Sequence, residues 1–359
     1  MQVSAAVERV RMRAEEVRTP GTVIPGVERI AVVRADRLGD FILTLPAIEA
    51  LRAAYPRASL GVVVGPHAAP LARLVPAIDR VETTDRTVRG TRAALGALAP
   101  HLVVSISRDA AGVLAAVLAR APHRIGSGFR VWSPLLTRRV AERRRAGGRH
   151  EVEYALSFAH RAGAPAGPAR FHIAPQAAAE RETARWLAER GLADRPFAIV
   201  HAGSGGSCPS WPMAHFSTLA EALEADGLPT VATVGPHDAE IERALARRER
   251  EAFRFPLEPL VALVRRAALL VSNSTAPVHL AAALGTPALA LHAPWSTCSV
   301  ARWGPYHASG AAVVAHTPGE ERLTRAERRA RGASLLAGVP PEFVLGVVRS
   351  GEIELRTGR

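Results

Sequence analysis

Twice along the chain, short runs of valine, isoleucine and leucine alternate with segments of helical periodicity, and this rhythm most narrows what the sequence can fold into. In the first half IAVVR (30–34), LGVVV (60–64) and HLVVSIS (101–107) read as strands, and 40–54, 68–74, 87–98 and 110–118 read as helices. The second half restarts with strands FAIVHAG (197–203), PTVATVG (229–235), ALLVSNS (268–274) and PALALHA (287–293). Its helices read as 180–190, 214–225, 238–247, 257–266 and 277–284. Near-continuous apolar strands separated by helices imply parallel sheets covered on both faces. The expected fold class is therefore α/β, with two Rossmann-like domains whose sheets face a central cleft, and 359 residues suffice for two cores. A helix over 150–162 and the Pro/Ala/Gly-rich segment 164–176 separate the halves. Residues 1–28 read as an N-terminal helical arm, helical over 3–17, while the tail holds a basic helix over 320–331 and a last helix over 341–350 able to pack back on the N-terminal domain.

In open α/β sheets ligands bind beyond the carboxyl ends of the strands, and three such ends carry unusual residues. The first, RADRLGD, offers Arg34, Arg37, Gly39 and Asp40 at a strand-to-helix turn. A helix N-terminus suits a phosphate; Asp40 is equally suited to cap that helix or to do chemistry. The second is HAGSGGSCPSWP (201–212), where Gly203, Gly205 and Gly206 permit close backbone approach and Ser204 and Ser207 can donate to phosphate oxygens. Trp211 either caps the following helix or walls a pocket. The third, SNSTAPVH (272–279), holds Asn273, Ser274, Thr275, Ala276 and His279; Asn273 is the chain's single asparagine. Hydroxylated residues before a proline make both a helix cap and a diphosphate cradle, and His279 fits a structural role as well as a ligand contact.

Several chemistries are excluded. No lysine occurs, which removes a Gly-Lys-Ser/Thr phosphate loop and any Schiff base. No GxGxxG follows the first strand, and neither zinc-ligand spacing nor a GxSxG elbow is present. The net charge of +13 points to an anionic partner, although a compositional bias towards arginine supplies part of it. Aromatics make up 5% and do not interleave with the arginines, so no nucleic acid is expected. Two cysteines, no bilayer-spanning run and no signal-like apolar region make the cytoplasm the expected location.

Together these segments resemble glycosyltransferase family 9, the bacterial heptosyltransferase family of lipopolysaccharide core assembly. The resemblance is carried by VVRADRLGDFILTLPAIEALRAAYP (32–56), VHAGSGGSCPSWPMAHFSTLAEAL (200–223) and LVSNSTAPVHLAAALGTPALALHAP (270–294), with ARWGP (301–305) after them. It implies a GT-B fold, with an acceptor domain over 29–170 and a nucleotide-sugar donor domain over 171–359. It also implies an inverting, metal-independent transfer of a sugar, typically a heptose, from an ADP-heptose type donor to a lipopolysaccharide-core or other lipid-linked acceptor. No cofactor is needed beyond that co-substrate. On the matching positions Asp40 becomes the general base and Asp238 the acidic ribose contact. Gly203 to Ser207 and Asn273 to Ala276 become donor diphosphate and nucleotide contacts, with Trp211 and His279 beside them. Arg34, Arg37 and Gly39 fall on the acceptor or phosphate side. Pro209-Ser210 replaces the family's basic residue before the tryptophan, and Ser274-Thr275-Ala276 replaces its Asp-Thr/Ser-Gly turn, which bears on donor identity more than on reaction type. The arginines of 138–149 and 322–331 would meet the inner membrane's cytoplasmic face. Two other readings remain: an anionic-surface or nucleic-acid binding protein, and a GT-B-fold nucleotide-sugar epimerase.

Overall fold

The computed structural model describes residues 3–10, 12, 21–107, 109–141, 148–206, 208–236, 238–254, 256–293, 299–317 and 324–356. The chain divides into two compact units: Arg13–Ala174, and Pro175–Arg359 together with Met1–Met12. The division lies inside the Pro/Ala/Gly-rich segment 164–176.

The first strand, β1 (Ser4–Glu8), belongs to the second unit. The first unit contains β2 (Arg29–Arg34), α1 (Leu38–Ile42), α2 (Leu45–Ala54), β3 (Ser59–Val64), α3 (Ala69–Ala72), β4 (Arg80–Thr83) and α4 (Val88–Leu98). It continues with β5 (Leu102–Ser105), α5 (Ala111–Leu118), β6 (His123–Ser127), β7 (Arg138–Val140) and α6 (Glu151–Arg161). Its six strands are all parallel, in the order β4-β3-β2-β5-β6-β7. The central strands are apolar on both faces: Ile30 lies opposite Leu60 on one face and Val33 opposite Val63 on the other, all buried. Each such side chain contributes about 1.5–3 kcal/mol on leaving water.

The helix expected over 40–54 is two helices. Pro46 has no N–H and sits in the first turn of α2, where a helix tolerates it, so the segment stops at Leu43-Thr44 and restarts. Thr44 Oγ1 donates to the Asp40 carbonyl at 2.9 Å across the break.

The second unit runs α7 (Ala177–Ala188), β8 (Ala198–His201), α8 (Met213–Ala225), β9 (Thr230–Thr233), α9 (Ala239–Ala246), β10 (Ala252–Phe253), α10 (Leu257–Arg266) and β11 (Leu269–Asn273). After these come α11 (Ala276–Ala283), β12 (Ala288–His292), α12 (Val300–Trp303), β13 (Gly310–His316), α13 (Arg325–Ala337) and α14 (Pro341–Arg349). Its sheet order is β1-β13-β12-β11-β8-β9-β10, parallel except for β1, which pairs antiparallel with β13 from Ser4 opposite His316 to Glu8 opposite Ala312.

Three elements depart from the sequence reading. The arm expected to be helical over 3–17 is a strand at Ser4–Glu8. Val3, Ala5 and Val7 pack on the core while Ser4, Ala6 and Glu8 face out, a period of two that covers the edge of the buried β13. The basic helix expected over 320–331 is α13, starting at the Thr324 cap; residues 318–323 lie outside the described residues. The last helix, α14, packs against α8 of its own unit, where Arg349 Nε and Nη2 each donate to the Asp226 carboxylate at 2.7 Å. Among the described residues no helix is long and apolar enough to cross a membrane.

Candidate active site

In the first unit the loop after β2 is built around Arg34. Its side chain is 1% exposed, and three carboxylates surround the guanidinium: Asp40 Oδ1 at 2.7 Å, Glu151 Oε1 at 3.2 Å and Asp36 Oδ2 at 3.3 Å. Nη1 also donates to the Ile106 carbonyl at 3.0 Å. Burial alone would make this guanidinium easier to deprotonate, but Asp40, Glu151 and Asp36 together outweigh it and push its pKa above the ordinary value. Asp40 stands at the third position of α1, where its Oδ2 accepts the backbone N–H of Arg37 at 3.3 Å. Its side chain is 13% exposed. A carboxylate has about four lone-pair directions, so one that accepts two bonds keeps the capacity to accept a proton. Arg37 is exposed.

In the second unit, loops leaving β8 and β9 enclose a pocket of about 420 Å³ lined by Ala202, Ser204, Gly205, Gly206, Ser210, Trp211, Met213, Asp238 and Ile241. Gly205 (φ 52°) and Gly206 (φ 67°) take left-handed conformations that turn the loop over its mouth. Gly203 lies where a Cβ would overlap the Asp238 carboxylate. Asp238 Oδ2 accepts the Gly235 N–H at 2.7 Å and lies 3.9 Å from His201 Nε2, whose Nδ1 is 3.0 Å from Thr233 Oγ1. Burial lowers the His201 pKa below its usual range, against the opposing pull of Asp238 and Thr233. Around pH 6.5 the unfolded chain would bind a proton that folded His201 refuses, so this residue makes stability fall as pH drops through that window. His201→Gln is expected to make the dependence of Tm on pH shallower between about pH 5 and 7; an unchanged slope would assign the effect elsewhere.

At the third strand end, read as a diphosphate cradle, the asparagine is held inside the fold. Asn273 is fully buried: its Oδ1 accepts the Trp211 backbone N–H and its Nδ2 donates to the Ala202 carbonyl, both at 2.8 Å. It therefore ties the β11 end to the pocket loop. Thr275 is buried and donates to the Asn273 carbonyl at 3.2 Å, and the Ser274 N–H donates to the Leu291 carbonyl at 3.2 Å. Ala276 opens α11, and His279 is buried with its ring centroid 6.4 Å from that of Trp303. Trp211 is buried, and its Nε1 donates to the Val339 carbonyl at 2.9 Å.

The structure thus gathers Ser204, Gly205, Gly206, Trp211 and Asp238 around one pocket with Gly203 beside it; Ser207 lies outside the described residues. Arg34, read as an acceptor or phosphate contact, is turned inward onto carboxylates, because Glu151 and Asp36 reach it as well as Asp40. Sequence reasoning missed Glu151, Asp36, Met213 and Ile241. Glu151 opens α6, which is buried on every face from Glu151 to His160 although it carries Glu151, Glu153 and His160. Among the described residues no group of three or more His, Cys, Asp or Glu could hold a metal ion.

Comparison with known proteins adds to this geometry. A family model described as glycosyltransferase family 9 (heptosyltransferase) matches residues 111–330. A Haemophilus influenzae protein named as a glycosyltransferase is 27% identical over 299 residues, 78% of this chain and 86% of that protein. The structure of a family 9 glycosyl transferase from Veillonella parvula superposes with a TM-score of 0.72 at 23% identity, covering 90% of this chain and 96% of the other. That of the Escherichia coli ADP-heptose lipopolysaccharide heptosyltransferase II gives 0.70 at 21% identity, covering 90% and 98%. The α/β fold with two parallel-stranded sheets is that of these GT-B heptosyltransferase structures.

Proposed function

The chain belongs to glycosyltransferase family 9 and is a glycosyltransferase; from that premise we propose that it moves a heptose from an ADP-heptose type donor to a lipopolysaccharide-core or other lipid-linked saccharide, inverting the anomeric carbon without a metal ion. The observation that carries the donor side is the pocket at the ends of β8 and β9. Its volume of about 420 Å³ lies in the range of small-ligand sites, and Ser204, Ser210, Gly205, Gly206 and the carboxylate of Asp238 are among the residues that line it. In this reading Asp238 accepts the ribose hydroxyls and the Ser204-Gly205-Gly206 turn donates to the diphosphate. The N-terminus of α11, entered at Ser274 to Ala276, adds partial positive charge.

Asp40 takes the proton of the acceptor hydroxyl as its oxygen bonds to the anomeric carbon. The bond from that carbon to the diphosphate oxygen breaks, and the nucleoside diphosphate leaves with the electron pair. Oriented N–H groups meet the charge that develops on it. Arg34 holds one oxygen of the base and the Arg37 N–H the other, which keeps a lone pair for the acceptor's proton, and the exposed Arg37 side chain is available to a phosphorylated acceptor sugar. Work at the cytoplasmic face of the inner membrane follows from such an acceptor.

The direct test follows release of ADP and the mass gain of a truncated lipopolysaccharide acceptor, with ADP-heptose compared against other nucleotide sugars. Transfer from a different donor would reassign the sugar. Interconversion of a nucleotide sugar without acceptor would favour the epimerase reading. Gly203→Ala tests the pocket: the added Cβ must displace Asp238, so donor KM should rise by about tenfold, the loss of roughly one charged hydrogen bond. A parent-like KM would remove Asp238 from donor binding.

A further inference from the structure

Between Asp109 and Glu142 the sequence holds no carboxylate side chain but carries Arg120, Arg124, Arg130, Arg138 and Arg139. The same stretch presents exposed apolar side chains: Val131 is 92% exposed, Leu118 52%, Phe129 45% and Leu135 37%. Phe129 and Val131 follow the carboxyl end of β6 with Arg130 between them, whereas Leu118, at the end of α5, and Leu135, whose carbonyl meets Arg124, lie towards the amino end of that strand.

This projection is braced by its own hydrogen bonds. Ser133 Oγ donates to the Ser127 carbonyl at 2.7 Å and accepts the Arg130 N–H at 2.9 Å. Arg124 Nε donates to the Leu135 carbonyl at 2.8 Å and Arg139 Nε to the Ser133 carbonyl at 3.1 Å. These bonds hold the turn that carries Phe129 and Val131 in water, and neighbouring apolar side chains held exposed in this way mark an interaction site. Exposed Arg130 stands between the two and exposed Arg139 pairs beside Gly126, which selects an anionic occupant. β6 lies two strands from β2, about 10 Å across the sheet at the usual strand spacing, and both carboxyl ends point the same way. The projection therefore stands on the Asp40 edge of its sheet.

We propose that this braced apolar tip docks the enzyme on an anionic phospholipid bilayer, Val131 and Phe129 entering the headgroup–acyl boundary while Arg130 meets lipid phosphates. Apolar insertion combined with basic charge is the physical basis of interfacial attachment. The proposal draws on the lipid-linked acceptor only for the purpose of docking; the binding itself requires no sugar transfer.

The test is co-sedimentation of the full chain with vesicles of phosphatidylcholine alone or mixed with phosphatidylglycerol. The protein should partition onto the mixed vesicles and not onto pure phosphatidylcholine. Val131→Asp should weaken partitioning roughly tenfold or more, and Arg130→Gln about fivefold. Both should keep the parent Tm and the parent transfer rate on a soluble, lipid-free acceptor. Parent-like partitioning of Val131→Asp would overturn insertion, and a parent that ignores anionic vesicles would overturn docking. Self-association in light scattering that Val131→Asp abolishes, without vesicle binding, would assign the face to a second copy instead. Loss of transfer with vesicle binding intact would count against the proposed reaction and leave the docking standing.

Discussion

Asp40→Asn is expected to lower kcat for sugar transfer by about 10²–10⁴-fold, the usual contribution of a positioned general base, with donor KM close to the parent's. The amide is nearly isosteric. Its oxygen can still accept from Arg34 Nη2, which bonds Asp40 Oδ1 at 2.7 Å in the parent, and the main-chain link from Thr44 Oγ1 to the carbonyl of residue 40 is untouched. What the variant lacks is a site for the acceptor's proton. The measurement is steady-state ADP release at saturating donor and acceptor, paired with a Tm scan to exclude misfolding. A rate within a fewfold of the parent would refute the assignment of Asp40 as the base even though the family stands.

Arg34→Met is expected to cost about 3–5 kcal/mol of folding stability, the penalty for removing one partner of a buried charge network. Methionine fills much of the same volume, so the loss is electrostatic: Asp36, Asp40 and Glu151 would face one another around an apolar side chain, and the Ile106 carbonyl would lose its donor. Denaturant midpoints measure the effect. Adding Glu151→Gln to Arg34→Met should recover part of it, because the two positions are in contact and their costs do not add. A single variant within about 1 kcal/mol of the parent would show that the cluster is wetted and that Arg34 does little to hold Asp40.

The rhythm of apolar runs made most interior strands of the sheets legible in the sequence. β2, β3, β8, β11 and β12 have largely apolar runs, and each lies inside its sheet. β13 (GAAVVAH) is as apolar and as buried, and lies outside the strands read from sequence. Other strands outside that reading carry weaker patterns. β4 (RVET) and β7 (RRV) lie at edges and keep charged residues, and β6 (HRIGS) is only partly apolar. β1 was misread because five residues of alternation sit beside charges that suit a helix equally well.

At the candidate site, the residues legible in advance were those whose loop chemistry is local. Glycines that turn a chain and the cap at Asp40 are features of consecutive residues, and the Ser204-Gly205-Gly206 turn stands at the pocket. Long-range partners could not be read in the same way. Glu151 reaches Arg34 from a helix far along the chain, and the amide of Asn273 bonds Trp211 and Ala202 on a neighbouring strand end. A lone asparagine looks the same in sequence whether it will touch a ligand or tie two loops together; only the fold decides.

The pairing of β1 with β13 has a consequence for biogenesis. β1 is made well before its partner, with Ser4 opposite His316, so on the ribosome this segment must wait until everything between the two has been translated before its docking strand emerges. Until it docks, β13 has an unpaired edge of buried-type residues, GAAVVAH, a template for pairing with another nascent chain. A fusion partner placed ahead of Val3 that hinders this docking would therefore lower the yield of dispersed protein without touching either candidate site.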